Sequence, residues 1–433
     1  MASLSPRSRR AGIAALVVAV LAGLAVVAAP GEDTRRARTL SRASSTQVVT
    51  GVGWTHRWTT APAAVTDTAG NQWDSDAAVV QGGAAPKAAA SGNAAPYRFA
   101  RAGNPAYALP VPEAGTYAVI LSVAAPERGS APEATVTVRP DGGAAQQVRL
   151  AATGSGRIRH AIVLVPVTGD TAKFTVAATE HLAGVSAVTL VMARTGTDPL
   201  RTELDERFDG AAGTALLPNW RHETGGGGWG NGELQEYTQR PENGALTGDG
   251  RLAVTARSDG GTYTSARLRS AFEGLYGRVE GELQVPAGRG LLPAFWMLGA
   301  DTDKVGWPQA GEIDLMESLG AAEPGLVHGT VHGPDGSARG WERAFTARPA
   351  GGPEKGMHRY GLEWWPGILQ WTVDGVVQAT LRQEDLGAKQ EWVFDRPAYV
   401  LLDVAVGGRW PGRPPPSTAF PQTMYVESVR WSR

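Results

Sequence analysis

The chain contains no cysteine in its 433 residues. This absence excludes disulfide bonds, thiolate metal sites and cysteine nucleophiles. An excess of charge of either sign is also missing, since 41 basic residues stand against 42 acidic ones. A balanced charge gives no electrostatic basis for holding a polyanion or a membrane surface. We therefore expect no nucleic-acid partner, and no membrane partner unless the N-terminal segment is an anchor.

Helix-period patterns are scarce, whereas Gly, Ala, Pro and Trp are abundant. Such a composition favours strands joined by many turns. The length exceeds that of one ordinary domain and suits two domains behind an N-terminal segment. We predict an all-β protein with a smaller β-sandwich at residues 48–195 and a linker at 196–202. An antiparallel jelly-roll sandwich with a concave cleft follows at 203–433.

The N-terminus is the longest apolar stretch of the chain. Arg7, Arg9 and Arg10 precede an uninterrupted run of small apolar residues at 11–29. This pattern predicts a signal peptide over residues 1–30 and a secreted protein. The alternative is an uncleaved anchor with the rest of the chain outside, because nineteen helical residues span nearly the ~30 Å of a hydrocarbon core. The arginine- and serine-containing residues 31–47 are predicted to be a linker.

The region 48–195 is poor in charge and rich in alternating apolar runs. The clearest runs are at residues 116–123, 134–138 and 161–165, with Gly- and Asp-containing turn signals between them. They predict the strands of a sandwich. The region shows no paired acids, no histidine cluster and no phosphate-binding glycine loop, so its residues indicate no catalytic chemistry.

One ordered set of motifs in this region resembles the malectin-like carbohydrate-binding fold. The motifs are 67–76 (DTAGNQWDSD), 97–101 (YRFAR), 107–110 (YALP) and 115–119 (GTYAV). The resemblance implies sugar binding through residues such as Trp73, Tyr97 and Arg101. The alternative is that these side chains fill the core and the domain serves as a spacer or docking unit.

The stretch 311–317, GEIDLME, places three carboxylates within six residues. In a strand Glu312 and Asp314 point to one face, because side chains alternate. Glu317 is out of phase, and a regular strand would bury its charge in the core at a high free-energy cost. A β-bulge that absorbs one residue brings Glu317 back to the face of Glu312. The spacing therefore predicts a bulged strand with three acids on one face.

Eleven of the fourteen tryptophans follow residue 199. Aromatic rings of this kind stack on the apolar faces of sugar rings. Alternating strands are predicted around 252–256, 279–285, 398–406 and 423–431, and a hairpin at 368–380 turns at the Asp-Gly pair 374–375. An antiparallel sandwich with aromatic residues around the acids is the predicted arrangement.

Nine motifs in this order resemble glycoside hydrolase family 16, in its bulged E-x-D-x-x-E branch of laminarinase-like endo-β-1,3-glucanases. They are 229–235 (WGNGELQ), 264–267 (TSAR), 276–280 (YGRVE), 293–299 (PAFWMLG), 307–308 (WP), 311–317 (GEIDLME), 328–333 (HGTVHG), 405–412 (AVGGRWPG) and 420–422 (FPQ). The resemblance spans nearly all of 203–433. It implies a retaining glycosidase with Glu312 as the nucleophile and Glu317 as the acid/base. Asp314, between them, is suited to orient Glu312 and to hold part of a shared proton.

Several neighbours are candidates for contacts to the sugar. These substrate-binding candidates are Trp229, Asn231, Arg278, Trp296, Trp307, His332 and Trp410. Core packing is the alternative for the tryptophans, and an ion pair with a surface acid is the alternative for Arg278. His328 and His332 lie four residues apart in a predicted strand, which is too far for both to hold one metal ion.

No cofactor is needed for this chemistry, but relatives often carry a structural calcium ion. Glu206 and Glu427 occupy the matching strands and are the candidate ligands, although the family usually has Asp where Glu427 stands. Two further departures from the family pattern are Leu292 in place of Trp and Asp403 in place of Asn. Both bear on the choice of substrate, and neither changes the three acids.

The expected function is hydrolysis of internal β-1,3-glucosidic bonds of a β-glucan by a secreted monomer. One alternative keeps the fold and changes the polysaccharide to agarose, carrageenan or a mixed-linkage glucan. Another is transfer of the glycosyl group to a sugar instead of water. The last is a noncatalytic β-glucan-binding protein, which the three retained acids argue against.

Overall fold

The structure, a computed structural model, describes residues 52–68, 70–88, 95–125, 133–152, 157–177, 184–215 and 217–433. The predicted signal peptide and the linker at 31–47 lie outside these residues. Within the described part of the chain, no helix has the length and apolarity to cross a membrane. Strands dominate throughout, so the prediction of an all-β protein is confirmed.

The N-terminal sandwich consists of two sheets with an apolar core between them. One sheet has the strand order β11-β8-β13-β1-β3-β2 and the other β10-β9-β12-β7-β4, with a separate β5-β6 pair. The strands are β1 (Thr55–Thr59), β2 (Val65–Thr66), β3 (Gln72–Ser75), β4 (Val80–Gln81), β5 (Lys87–Ala88), β6 (Phe99–Ala100), β7 (Ala106–Pro110), β8 (Gly115–Ala124), β9 (Ala134–Pro140), β10 (Gln146–Leu150), β11 (Ile158–Val167), β12 (Thr171–Ala177) and β13 (Gly184–Arg194), with 3₁₀ turns at Asp76–Ala78 and Ala95–Tyr97. The predicted strands at 116–123, 134–138 and 161–165 are all present.

The C-terminal sandwich contains the remaining strands. They are β14 (Thr202–Glu206), β15 (Trp220–His222), β16 (Gln235–Tyr237), β17 (Gly244–Leu246), β18 (Leu252–Asp259), β19 (Thr262–Ser265), β20 (Arg267–Gly274), β21 (Gly277–Gln284), β22 (Leu291–Gly299), β23 (Glu312–Glu317), β24 (Val327–Gly333), β25 (Trp341–Ala347), β26 (His358–Trp365), β27 (Ile368–Val373), β28 (Val376–Arg382), β29 (Ala398–Val406) and β30 (Gln422–Ser432). The short helix α1 (Thr302–Val305) and 3₁₀ turns at Gly320–Ala322 and Gln383–Asp385 lie between them.

Two sheets form this sandwich. The site sheet, named for the acids that it carries, has the order β15-β20-β29-β22-β23-β24-β25. The outer sheet has the order β16-β19-β18-β30-β21-β26-β27-β28, with β14 on β30 and β17 on β18. The two sheets pack closely, since a Cβ at Gly281 of β21 would lie 2.6 Å from the ring of Phe295 on β22. Such burial of large apolar side chains stabilises the fold by about 1.5–3 kcal/mol each.

The outer sheet continues without a break into the N-terminal sandwich. Strand β10 pairs in parallel with β28, with Arg149 and Leu150 opposite Val376 and Val377. Strand β8 is buried along its whole length. Its outer face carries Ala118 and Ile120, which pack in one apolar cluster with buried Trp365 and Ile368 of the C-terminal sandwich. Val377 of β28 also belongs to the apolar core cluster of the N-terminal sandwich. A continuous sheet and apolar packing therefore join the two predicted domains.

Polar contacts surround this junction. Arg57 donates to the Glu384 carboxylate at 2.8 Å, and the guanidinium of Arg382 donates to the Tyr97 hydroxyl. Farther along the junction, the Gln370 amide donates to the backbone carbonyl of His160 at 3.0 Å. Polar groups of both sandwiches thus hold the two together.

The prediction that Trp73, Tyr97 and Arg101 form a sugar-binding surface is wrong, because all three side chains are buried. Trp73 is 1% exposed and its indole donates to Asp67 inside the sandwich. Tyr97 is buried at the junction, and Arg101 is buried in an ion pair with Asp76. These side chains fill the interior because each finds its partner within the chain. The malectin-like resemblance itself stays a prediction.

Candidate active site

Strand β23 carries the bulge that its acid spacing predicts. Against β22, Trp296 stands opposite Asp314 and Phe295 opposite Met316, which leaves Leu315 without a partner. Consecutive residues Leu315 and Met316 are both buried in the core together with Ile313. The alternation therefore shifts by one residue at this point. Glu312 and Glu317 stay partly exposed at the two ends of the strand, and Asp314 is buried between them.

The turn before β23 depends on glycine. Gly311 adopts a φ of 75°, and a Cβ there would lie 2.9 Å from the side chain of Val393 and 3.0 Å from Phe394. Only glycine takes this conformation without steric cost. The chain can therefore enter the strand directly at Glu312 with its carboxylate on the open face.

Glu312 has the richest set of partners among the three acids. The Trp307 indole donates to its Oε2 at 3.1 Å, and His332 Nε2 lies 3.6 Å from its Oε1. Burial and the charge of Asp314 raise the pKa of Glu312 to about 8, while His332, Arg267 and Trp307 oppose the rise. Glu312 is therefore the acid of the row with the most groups that favour its ionised form.

Glu317 lies in an environment that favours its protonated form. Burial and then the carboxylates of Asp314 and Glu312 hold its pKa well above the ordinary value of a glutamate. The Thr330 hydroxyl, 3.4 Å from Oε2, is its hydrogen-bond donor. The arrangement suits a proton donor at near-neutral pH.

Asp314 and His332 connect the ends of the row. His332 Nε2 lies 3.4 Å from Asp314 Oδ2 and its Nδ1 lies 3.9 Å from Glu342. Burial and the negative charge of Asp403 raise the pKa of Asp314 well above its ordinary value. Asp314 can therefore hold a proton that the neighbouring glutamates exchange, as its position predicts.

Two exposed tryptophans lie at opposite ends of the acid row. Trp307 contacts Glu312 and is 44% exposed. Trp410 is also 44% exposed, and its ring lies 4.8 Å from that of His328, the residue that stands opposite Glu317 in the sheet. Rings left open beside polar groups are suited to stack on sugar. Both predicted positions are therefore open to a ligand.

Arg267 of β20 is a site residue that the sequence did not single out. Its guanidinium lies between two indoles, 4.7 Å from the ring of Trp229 and 4.6 Å from that of Trp296. It also pairs with Glu223 at 2.6 Å. The cation packs on both predicted tryptophans, and it places a permanent positive charge near Glu312. The sequence signal that could have identified Arg267 is its place in the family motif TSAR at 264–267.

Asp403 is the second site residue that connects these groups. It accepts from the Trp296 indole at 2.7 Å and from the Tyr237 hydroxyl at 2.9 Å. Burial is the main cause of its raised pKa. The same charge, after burial, helps to raise the pKa of Glu233 to about 7. The Asn231 side chain hydrogen-bonds Glu233, and the backbone carbonyl of Asn231 accepts from the Arg409 backbone N–H at 2.9 Å.

The placement of Arg278 near the acids is wrong. Arg278 lies on β21 of the outer sheet and pairs with Glu363 of the neighbouring strand β26. An ion pair with an acid was the alternative interpretation. The arginine at the acids is Arg267, one sheet away from the predicted one.

The proposed calcium ligands lie on adjacent strands. Strand β14 pairs with β30, with Glu206 opposite Val429. Both oxygens of Glu206 already accept hydrogen bonds, from the Phe208 backbone and from Asn219. Calcium takes six to eight oxygen ligands, which include backbone and amide carbonyls, and among the described residues no cluster of three His, Asp or Glu side chains includes Glu206 or Glu427. Calcium at these two residues stays a prediction.

Known proteins resemble the C-terminal part of this chain. The model of "Glycosyl hydrolases family 16" matches residues 232–431. The chain is 39% identical over 230 residues to a β-glucanase of Rhodothermus marinus, covering 49% of this chain and 78% of that protein. It is 34% identical over 233 residues to a glucan endo-1,3-β-glucosidase of Cryptopygus antarcticus, covering 49% and 82%.

Among solved structures, the laminarinase catalytic domain of Thermotoga maritima is 38% identical. The superposition covers 55% of this chain and 99% of that one, with a TM-score of 0.49. The identities and coverages of the two curated relatives decide the assignment. The chain belongs to family 16 of the glycosyl hydrolases and is a glycoside hydrolase.

Proposed function

We propose that the protein is an exported enzyme that cleaves internal β-1,3-glucosidic bonds of β-glucans with retention of configuration. The observation that carries the proposal is the row of three acids between two exposed tryptophans on the site sheet. The names of the two curated relatives support a β-glucan as the substrate. Export rests on the N-terminal charge and apolar pattern of the sequence.

In the first step, an oxygen of ionised Glu312 attacks the anomeric carbon. The bond from this carbon to the glycosidic oxygen breaks, and the leaving oxygen takes the proton of Glu317. In the second step, water attacks the same carbon and the ester bond to Glu312 breaks. The proton of the water passes to Glu317, which restores both groups.

The environments of the two glutamates support this division of roles. Burial and the charge of Asp314 raise the pKa of Glu312 to about 8. Trp307, His332 and Arg267 oppose this rise, and Glu317 has fewer groups of this kind. Glu317 has two neighbouring carboxylates that oppose its ionisation. Asp314 lies between them and positions Glu312 through the shared proton.

The substrate is tested by incubation with laminarin, lichenan, agarose and carrageenan and analysis of the products. We expect laminarin to give a mixture of oligosaccharides, as internal cleavage requires. Proton NMR of the first products should show the β-anomer before mutarotation. Cleavage of a galactan alone would contradict the proposed substrate. Binding to laminarin without any product would identify a glucan-binding protein instead.

The two roles are separated by Glu312→Gln and Glu317→Gln. On laminarin, Glu317→Gln should lower kcat by about 10²–10⁴-fold, the usual contribution of a general acid. The second substrate is an aryl β-laminaribioside with a good leaving group. Its first step needs no proton donor, so Glu317→Gln should still release the phenol in a burst. Glu312→Gln should give no oligosaccharide from laminarin and no phenol from the aryl glycoside. Equal activity of Glu312→Gln and wild type would contradict the assignment.

A further inference from the structure

The backbone carbonyl of Asp314 has a partner outside the site sheet. It accepts a hydrogen bond from Nε1 of Trp371 at 2.9 Å. Trp371 lies on β27 of the outer sheet and is 3% exposed. The bond therefore crosses the core of the sandwich and reaches the catalytic strand from its buried side.

The bond is made at the bulge. On the other side of β23, Asp314 stands opposite Thr330 and Glu317 opposite His328, so that Leu315 and Met316 face Gly329 alone. A bulge interrupts the regular ladder, and a buried carbonyl left without a donor costs about 1–3 kcal/mol. The Trp371 indole supplies a donor at the residue where the register changes.

Packing fixes the position of the indole. The ring of Phe345 meets that of Trp371 edge to face, with centroids 5.6 Å apart. Phe345 in turn occupies the space where a side chain of residue 329 would lie, since a Cβ on Gly329 would be 2.2 Å from its ring. Gly329, Phe345 and Trp371 thus form a column beneath the bulge, and the indole has little freedom to move away.

We propose that Trp371 is a positioning residue for the hydrolytic reaction, because its indole N–H holds the bulge at Leu315 and so sets the spacing of Glu312 and Glu317. The inference rests on the proposed roles of these two glutamates. In a regular register Glu317 would turn toward the core. A retaining reaction needs the two carboxyl groups about 5–5.5 Å apart, so a shift of the bulge separates the acid from the bond that it protonates.

The variant that tests this is Trp371→Phe, which keeps a large ring and removes the donor. The matched control is Trp431→Phe. Trp431 is 0% exposed, belongs to the same apolar cluster and donates its indole N–H to the Tyr276 carbonyl at 2.8 Å. The control thus loses the same kind of bond in the same core, away from the acids.

Activity on laminarin should separate the two variants. For Trp371→Phe we expect kcat to fall about 10²-fold with KM unchanged, the size of loss that a displacement of about 1 Å produces in an active site. The pH profile of kcat should also shift, because the contacts between the three acids change. The control should keep the wild-type kcat and pH profile while its Tm falls.

Amide hydrogen exchange gives a readout that needs no substrate. Peptides that cover residues 312–317 should exchange faster in Trp371→Phe than in wild type, and at the wild-type rate in the control. Wild-type kcat, pH profile and exchange in Trp371→Phe, with only a loss of stability, would overturn the proposal. If wild type cleaves none of the polysaccharides, the proposed function fails, and the exchange comparison still decides the role of Trp371.

A second variant covers the case in which Trp371→Phe does not fold. Trp371→benzothienylalanine replaces the indole N–H by sulfur and keeps the size of the ring. It should show the same fall in kcat and the same faster exchange. A variant of this kind with wild-type kcat and exchange would overturn the proposal.

Discussion

The two sandwiches of this protein treat charged groups in opposite ways. In the N-terminal sandwich, buried charge is neutralised: Arg101 pairs with Asp76, and Arg57 with Glu384 across the junction. On the site sheet, Glu312, Asp314 and Glu317 are held together although Asp314 raises the pKa of both glutamates and Glu312 raises that of Glu317. Both regions are β-sandwiches with apolar cores. The difference shows that the fold does not indicate chemistry; the arrangement of unneutralised polar groups does.

The largest expected effect comes from separating the two sandwiches. Deletion of residues 1–199 would expose Trp365, Ile368 and the open edge of β28, because these groups now contact the N-terminal sandwich. An exposed apolar edge strand promotes aggregation. We expect residues 200–433 expressed alone to be insoluble, or to melt below the full chain by about 2–4 °C for each kcal/mol of stability lost.

Calorimetry and light scattering of the two proteins measure this effect. Substitution of exposed Lys173 by Ala, in the N-terminal sandwich and away from the junction, is a control that should leave Tm unchanged. A soluble, monomeric 200–433 fragment with the Tm of the full chain would show that the junction adds no stability.

The next effect compares two arginines, one on each sheet. Arg267→Met should lower kcat/KM on laminarin by about 10²-fold, as expected when a preorganised charge is removed from an active site. Arg278→Met should leave kcat/KM unchanged, because Arg278 pairs with Glu363 on the outer sheet. Steady-state kinetics of the two variants would reverse our correction if Arg278→Met proved the more damaging.

The smallest effect is a gain in stability that depends on pH. The folded protein raises the pKa of Glu312 to about 8, whereas an unfolded glutamate ionises near pH ~4.3. Between these values the folded state binds more protons than the unfolded state, so the stabilising effect of this group is complete at low pH and is lost as pH rises toward 8. Glu312→Gln cannot ionise, so the variant does not lose stability at this site as pH rises.

We therefore expect Glu312→Gln to melt above wild type at pH 8 and together with it at pH 4. The gain should be about 2–4 °C for each kcal/mol of strain relieved. Glu363→Gln on the outer sheet is a control that should show no such gain, since Glu363 has Arg278 as a counter-ion. A gain for Glu312→Gln that was equal at both pH values would point to packing instead of charge.

The sequence was sufficient to predict features that depend on the spacing of neighbouring residues, such as a bulge and a hairpin turn. Side-chain parity alone placed a bulge between Asp314 and Glu317, and the Asp374-Gly375 pair placed the hairpin of β27 and β28. It failed where a long-range pairing decides the neighbour. Arg267 and Arg278 each lie within a motif of the same family, so the motifs do not say which arginine is near the acids. Only the strand order shows that β20 belongs to the site sheet and β21 to the outer sheet.

The junction was missed for a similar reason, although a signal was present. Residues 116–123 contain apolar side chains at nearly every position, the pattern of a strand that is buried on both faces. The covering surface, around Trp365 and Ile368, lies more than two hundred residues away in the chain. Parallel pairing of β10 with β28 leaves no local mark in the sequence.

The unbroken sheet from β30 through β28 to β4 also limits how such a protein can be recombined. A binding module on a flexible tether can be exchanged for another without harm to the enzyme that carries it. Here an exchange would remove a hydrogen-bonded neighbour of β28 and the cover of Trp365 at the same time. The two sandwiches must therefore be inherited and altered together, and a useful chimera would have to carry its junction surface with it.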